Sequence, residues 1–222
     1  MLVSHIDNAD LEQAYSWDGI GLRMNMVVSL DGKTTGRDGL SGSINTSGDK
    51  RIFSFLRRTA DLVLVGAGTF RAEAYRPLTS GARLCIVSRS LHLDPASATL
   101  LHSTYRPIVL TCEASDAQRR HELGQVADVL VAGAETVDLP TGIDALHQAG
   151  LPRILCEGGP SLFADLLNDG LVDDVCLTIA AKSVGNPSAH PLTGPLADPV
   201  TWVGQHALHD ADGVYSRWKP AA

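Results

Sequence analysis

The chain has 222 residues, 44% of them apolar and 19% charged, and a net charge of −7. That length suits one α/β domain, and the composition excludes wholesale disorder. The acidic balance argues against a nucleic-acid surface built on phosphate neutralisation and leaves only a local basic pocket for a phosphorylated small molecule. No stretch approaches the ~20 apolar residues that span a bilayer. Met1 to Asp18 lack the basic-then-apolar layout of a signal peptide, so the chain reads as soluble and cytoplasmic, with residues 1–18 as an N-terminal extension. Cys85, Cys112, Cys156 and Cys176 lie far apart in apolar runs, as reduced, buried thiols do. A disulfide among them would need an oxidising compartment that nothing else in the sequence suggests.

In chain order, Arg23–Leu30 (RMNMVVSL) is the first expected strand. Thr46-x-x-Asp49 offers a capping-box-like start to a helix over Ser47–Thr59, whose Ile52, Phe53, Phe55 and Leu56 share an apolar face. Strands follow at Asp61–Gly66, Arg83–Ser88, Pro107–Cys112, Asp128–Ala132 and Arg153–Glu157, with helices over Ser115–Gln125 and Thr141–Gly150. Most of these strands are continuously apolar rather than alternating, which is what burial on both faces requires. Pro160–Asn168 is the clearest helix, with Pro160 in its first turn, Leu162, Phe163, Leu166 and Leu167 as its stripe, and Gly170 at its exit. Val172–Ala180, Val200–His209 and Gly213–Lys219 then read as strands without helices, the last two pairing across Asp210–Gly213. Gly185–Pro199 reads as a long surface loop. The order predicts one three-layer α/β domain over 1–222, its central sheet mostly parallel with an antiparallel C-terminal edge.

Three segments carry polar groups suited to ligands. In Cys156-Glu157-Gly158-Gly159-Pro160-Ser161 a strand ends, two glycines turn the chain and a helix begins. The helix dipole and unpaired N–H groups there suit a phosphate, although an ordinary βα turn also takes glycine. Val65-Gly66-Ala67-Gly68-Thr69 resembles the start of a dinucleotide fingerprint, but Arg71 stands at the third glycine position. About twenty residues on, Ser88 and Arg89 in VSRS replace the acidic residue of an NAD site, which suits the 2′-phosphate of NADP; a tight turn and a surface arginine is the plainer alternative. Asp31, in SLDGK, directly follows the first strand; it is either a ligand-binding carboxylate at the sheet's carboxyl end or a turn residue. His206 and His209 fall on opposite faces of a strand, which disfavours a metal site.

Taken in order, SLDGK, TSGDKRIFSFLRRTADLVLVGAGT, IVSRS and ILCEGGPSLFADLLNDGLVDDVCLTIA resemble the reductase domain of bacterial riboflavin biosynthesis, from about Gly21 to Trp218. The resemblance implies a dihydrofolate-reductase-like fold and an NADPH-dependent reduction without metal, usually of 5-amino-6-(5-phospho-D-ribosylamino)uracil, by hydride transfer to C1′. It implies cofactor contacts at Thr46, Gly66, Gly68, Thr69, Glu73, Ser88 and Arg89, and at Gly158, Gly159, Pro160, Ser161 and Leu162. It implies substrate contacts at Asp31, Arg57 and Glu157, with Asp31 and Glu157 as the catalytic pair, and a homodimer as the assembly.

The chain departs from the family in three places. The H-x-E…P-C-x-x-C deaminase signature is absent from this sequence, which assigns deamination to another protein. Glu73-Ala74-Tyr75 replaces an acid-acid-proline run, and Ser43-Ile44-Asn45-Thr46 lacks a tryptophan. The last two changes fall around the expected substrate pocket. Two alternatives accompany this expectation: a reductase of the same fold acting on another heterocycle such as dihydrofolate, and a non-catalytic nucleotide-binding relative.

Overall fold

Nine strands share one sheet in the computed structural model, which describes residues 8–79, 81–185, 189 and 191–221. They are β1 (Gly21–Ser29), β2 (Leu62–Gly66), β3 (Arg83–Val87), β4 (Ile108–Thr111), β5 (Asp128–Val131), β6 (Arg153–Cys156), β7 (Asp174–Ala180), β8 (Trp202–His209) and β9 (Gly213–Pro220). The order is β5-β4-β3-β2-β6-β1-β7-β9-β8. Pairing is parallel from β5 to β7 and antiparallel for β7–β9 and β9–β8, as the sequence pattern predicts. The helices are α1 (Asn8–Tyr15), α2 (Ser47–Thr59), α3 (Ala67–Ala72), α4 (Ala98–His102), α5 (Ala117–Leu123), α6 (Leu139–Gln148) and α7 (Pro160–Asn168). No helix among the described residues is long and apolar enough to cross a membrane.

The continuous apolar runs serve two cores. Val63 and Val65 of β2 pack with Ile52, Phe55 and Leu56 of α2 on one face, while Leu62 and Leu64 pack on the other with Leu162, Phe163 and Leu166 of α7. Alternate residues of one strand therefore face opposite layers. All four cysteines are free and buried.

Helix ends differ from the periodicity where a cap decides. The Asp116 carboxylate accepts the N–H of Arg119, so α5 starts at Ala117, and Asp138 accepts that of Thr141, so α6 begins two residues before the expected start. The expected N-terminal extension is structured within its described part: Leu11, Ala14 and Tyr15 of α1 belong to the core.

A buried ionic knot holds α1. Arg23 of β1, 1% exposed, donates to Asp174 Oδ2 at 3.1 and 2.8 Å and to the carbonyls of Tyr15 and Ser16 at 2.6 and 3.0 Å. Arg217 of β9 donates to the same Asp174 oxygen at 2.8 Å and to Asp18 at 2.9 Å. Removing one member of a buried ion pair leaves its partners desolvated and unpaired, at a cost of about 3–5 kcal/mol. Asp174→Asn is therefore expected to lower unfolding free energy by about that amount in urea titration; an unchanged midpoint would refute the dependence of the fold on this knot.

Candidate active site

The strand order reverses between β2 and β6: the chain runs outward from β2 to β5, then returns to insert β6 beside β1. Ligands of open α/β sheets bind in the crevice at such a point. β6 is short, so Met24 faces Cys156 in register while Asn25 to Ser29 run on beside β7 alone. Beyond Cys156 the chain stays hitched to β2, through Glu157 N to Leu64 O at 2.9 Å and Gly66 N to Gly158 O at 2.8 Å. A cleft opens on the other side, floored by Asn25, Met26 and Val27.

That cleft is the first of three in a row. Asn45, Asp49, Phe53, Arg57, Tyr75, Arg76 and Glu157 line the first. It shares Thr69, Glu73, Gly159 and Pro160 with a second, which adds Gly66, Gly68, Ser161 and Leu162. Leu162 also borders a third cleft beside Val87, Arg89 and Val137.

Glu157 anchors the first cleft. Arg57 reaches from α2 and grips both its oxygens, Nε to Oε1 and Nη2 to Oε2, each at 2.7 Å. The guanidinium lies 4.2 Å above the Phe53 ring, which keeps it flat against the cleft wall. The Tyr75 hydroxyl donates to Glu157 Oε2 as well. Burial, reinforced by the Glu157 charge, raises the Tyr75 pKa well above that of a free phenol, so it remains a donor.

In the second cleft, Gly159 caps α7 without a side-chain hydrogen bond and Pro160 has no N–H. The start of α7 thus presents backbone donors and the positive end of its dipole to the opening. Gly158 has φ +91°, where a side chain is strained, and an added Cβ would lie 3.1 Å from Met26 Sδ. Across the cleft, Glu73 Oε1 accepts the Ser41 N–H at 2.8 Å and ties the end of α3 to the Ser41–Ser43 turn.

The structure therefore gathers Arg57 and Glu157 in one cleft and Gly66, Gly68, Thr69, Glu73, Gly159, Pro160, Ser161 and Leu162 in the next, with Arg89 on the third. Gly158 supports the same turn from behind. Asp31, Thr46 and Ser88 line none of the three. Asp31 accepts from Ser29 Oγ at 2.6 Å and from the N–H groups of Val184 and Gly185 at 3.0 and 2.8 Å, clamping the segment after β7. These donors hold its carboxyl below the usual carboxylate range. Thr46 caps α2 by accepting the Asp49 N–H at 3.1 Å, and buried Ser88 accepts that of Leu91 at 3.0 Å. Asn25, Asn45, Asp49 and Tyr75 are cleft residues that sequence reasoning missed as site residues. Tyr75 and Asn45 carried a signal, each lying in a departure from the family pattern.

This sheet order, with its crevice and cleft chain, defines a dihydrofolate-reductase-like fold; Enterococcus faecalis dihydrofolate reductase, crystallised with NADP(H) and RAB-propyl, superposes over 91% of this chain and 97% of its own at TM-score 0.58 and 12% identity. The RibD C-terminal domain family matches residues 21–215, and the chain belongs to it. A pyrimidine reductase-like protein from Corynebacterium diphtheriae covers 96% of this chain and 98% of its own at TM-score 0.84 and 28% identity. The 2,5-diamino-6-ribosylamino-4(3H)-pyrimidinone 5′-phosphate reductase of Methanothermobacter thermautotrophicus is 32% identical over 178 residues, 76% of this chain and 81% of the relative.

Asp49 is 3% exposed, and desolvation raises its pKa above the ordinary aspartate value despite the opposing Thr178 hydroxyl. A carboxyl with a raised folded-state pKa binds its proton more tightly when folded. Its contribution to stability is greatest in acid and is lost as pH rises through the folded value. Asp49→Asn removes that cost, so its Tm at pH 7 is expected to exceed that of the parent, by about 2–4 °C for each kcal/mol recovered. The gap is expected to narrow toward pH 4. Calorimetry showing a lower Tm at pH 7 would contradict it.

Proposed function

We propose that the chain is an NADPH-dependent reductase that converts the ribosyl group of a phosphoribosylamino-pyrimidine into ribityl, a step of riboflavin biosynthesis. The observation that carries this reading is the junction of two clefts at Thr69, Glu73, Gly159 and Pro160: one faces an uncapped helix start, the other a clamped carboxylate. The named relatives support the substrate class. 5-Amino-6-(5-phospho-D-ribosylamino)uracil and the 2,5-diamino ring in those relatives' names differ at C2 and share the ribosylamino phosphate, so both fit this reading.

The donors of Ser161 and Leu162 suit a pyrophosphate, Gly66, Gly68, Thr69 and Glu73 border the nicotinamide half, and Arg89 suits a 2′-phosphate. Bound there, NADPH supplies the hydride that ribosyl reduction consumes. The chain's own groups position the acceptor. Glu157, held by Arg57 and Tyr75, keeps lone pairs for ribose hydroxyls, and Arg76 at the cleft rim suits the substrate phosphate. Asp31 acts on the site through the segment it clamps. We assign the working form to a cytoplasmic homodimer, joined at the apolar hollow of Val175, Leu177, Trp202 and Trp218.

NADPH oxidation is expected with a phosphoribosylamino-pyrimidine and not with dihydrofolate; the opposite preference would overturn the reading. Glu157→Gln is expected to lower kcat/KM at least about tenfold, equivalent to about 1.4 kcal/mol. For the cofactor, a charge-assisted contact is worth about 1.5–3 kcal/mol, so Arg89→Ala is expected to weaken NADPH binding by one to two decades while leaving NADH unchanged. Fluorescence titration checks this, and equal losses for both nucleotides would remove Arg89 from the 2′-phosphate.

A further inference from the structure

We propose that Arg119, which lines none of the three clefts, is a positioning residue for cofactor choice. It holds the turn at residues 88–93 in the shape that accepts a 2′-phosphate, and so sets a preference for NADPH over NADH. This rests on the cofactor reading above and adds the residue that enforces it.

The turn leaves the end of β3 in an uncommon conformation. Ser88 N still donates across the sheet to Leu110 O at 2.9 Å. Leu91 then has φ +54°, a region that bulky side chains rarely adopt. Leu91 and Leu93 are buried in the same core as Leu123 of α5, so their side chains fix where the turn lies. Ser88 Oγ accepts the Leu91 N–H at 3.0 Å, and Leu93 N donates to Leu91 O at 2.7 Å. The N–H groups of Arg89 and Ser90 have no acceptor among the described residues. Successive free N–H groups beside a left-handed residue form a concavity suited to an anion.

The carbonyls of the turn are held by two arginines from other elements. Arg119 Nη2 donates to Leu91 O at 3.2 Å and to Leu93 O at 2.5 Å. Arg71 Nη1, from α3, donates to His92 O at 3.2 Å. Three carbonyls in succession thus face guanidinium groups. Arg119 is itself fixed at both ends, since Asp116 accepts its backbone N–H at 2.8 Å and Glu122 Oε2 accepts from its Nη1 at 2.7 Å. A planar fork can bridge two carbonyls and a carboxylate at once, which an ammonium cannot.

This brace matters because of the charge in the third cleft. Asp165 and Asp169 line it together with Arg89, so an anion finds its donors on the Arg89 side alone. Carbonyl oxygens released from Arg119 would be free to swing toward that anion and repel it. Held back, they leave Arg89 and the two free N–H groups facing the phosphate. A dinucleotide with a bare 2′-hydroxyl makes no such demand on the turn, so the loss of Arg119 falls on the phosphorylated form.

The test is calorimetric titration with adenosine 2′,5′-bisphosphate and adenosine 5′-monophosphate, which differ only by the 2′-phosphate and need no turnover. The parent is expected to favour the bisphosphate by at least about tenfold. Arg119→Ala is expected to weaken the bisphosphate by about that factor while leaving the monophosphate within about twofold. Arg119→Lys keeps the charge without the fork and is expected to fall between the two. A merely structural arginine would lower both affinities together. Equal affinities in the parent would overturn the cofactor reading and this inference with it. A parent preference that survives unaltered in Arg119→Ala, or equal losses for both ligands, would overturn the role of Arg119 alone. Should Arg119→Ala fail to fold, the ratio in Arg119→Lys decides by the same criterion.

Discussion

The site depends on where β6 stops. Four residues long, it lies between the nine residues of β1 and the five of β2, and its chain then leans toward β2 through Glu157 N and Gly158 O. Had it continued along β1, a strand would occupy the space above Asn25, Met26 and Val27. Because it turns away, the carboxylate of Glu157 and the start of α7 meet at one opening, each positioned by backbone pairing that a sheet must satisfy in any case.

The opening is built from groups whose burial is costly. Glu157 recovers that cost through three donors, from Arg57 and Tyr75. Asp49 recovers much less, since one of its oxygens has no partner. The contrast separates two kinds of buried carboxylate: one whose surroundings complete it, and one whose surroundings hold it in place while leaving its chemistry unsatisfied.

Most of the architecture was readable in the chain because it follows from burial. Strands such as Leu62–Gly66 are apolar at every position since both faces are covered, and α7 announces itself by Pro160 and its leucine stripe. What escaped reading depends on distant partners. The short α1 has a weak apolar pattern, and its docking relies on Arg23, Asp174 and Arg217, which no local rule connects. Asp31 and Asp49 both matched local rules, one as a residue ending a strand and the other as part of a capping box. Their side chains were sent elsewhere by the segment at Val184 and by the approach of Gly48 to Tyr215. Ser88 likewise turned inward to brace its own turn.

The knot around Asp174 bears on the order in which a ribosome delivers the chain. Residues of α1 and the turn after it emerge long before groups they rest on: Arg217 donates to Ala14 O at 3.2 Å, Lys219 pairs with Asp18 at 2.8 Å, and Tyr15 meets the His206 ring at 4.8 Å. Nascent chains ordinarily settle from their beginning. Here α1 must wait, only partly anchored, until the β8–β9 hairpin has cleared the exit tunnel. Any stall before β9 leaves Tyr15 and Leu11 without their full cover, as a handle by which quality-control chaperones distinguish an unfinished polypeptide from a finished one.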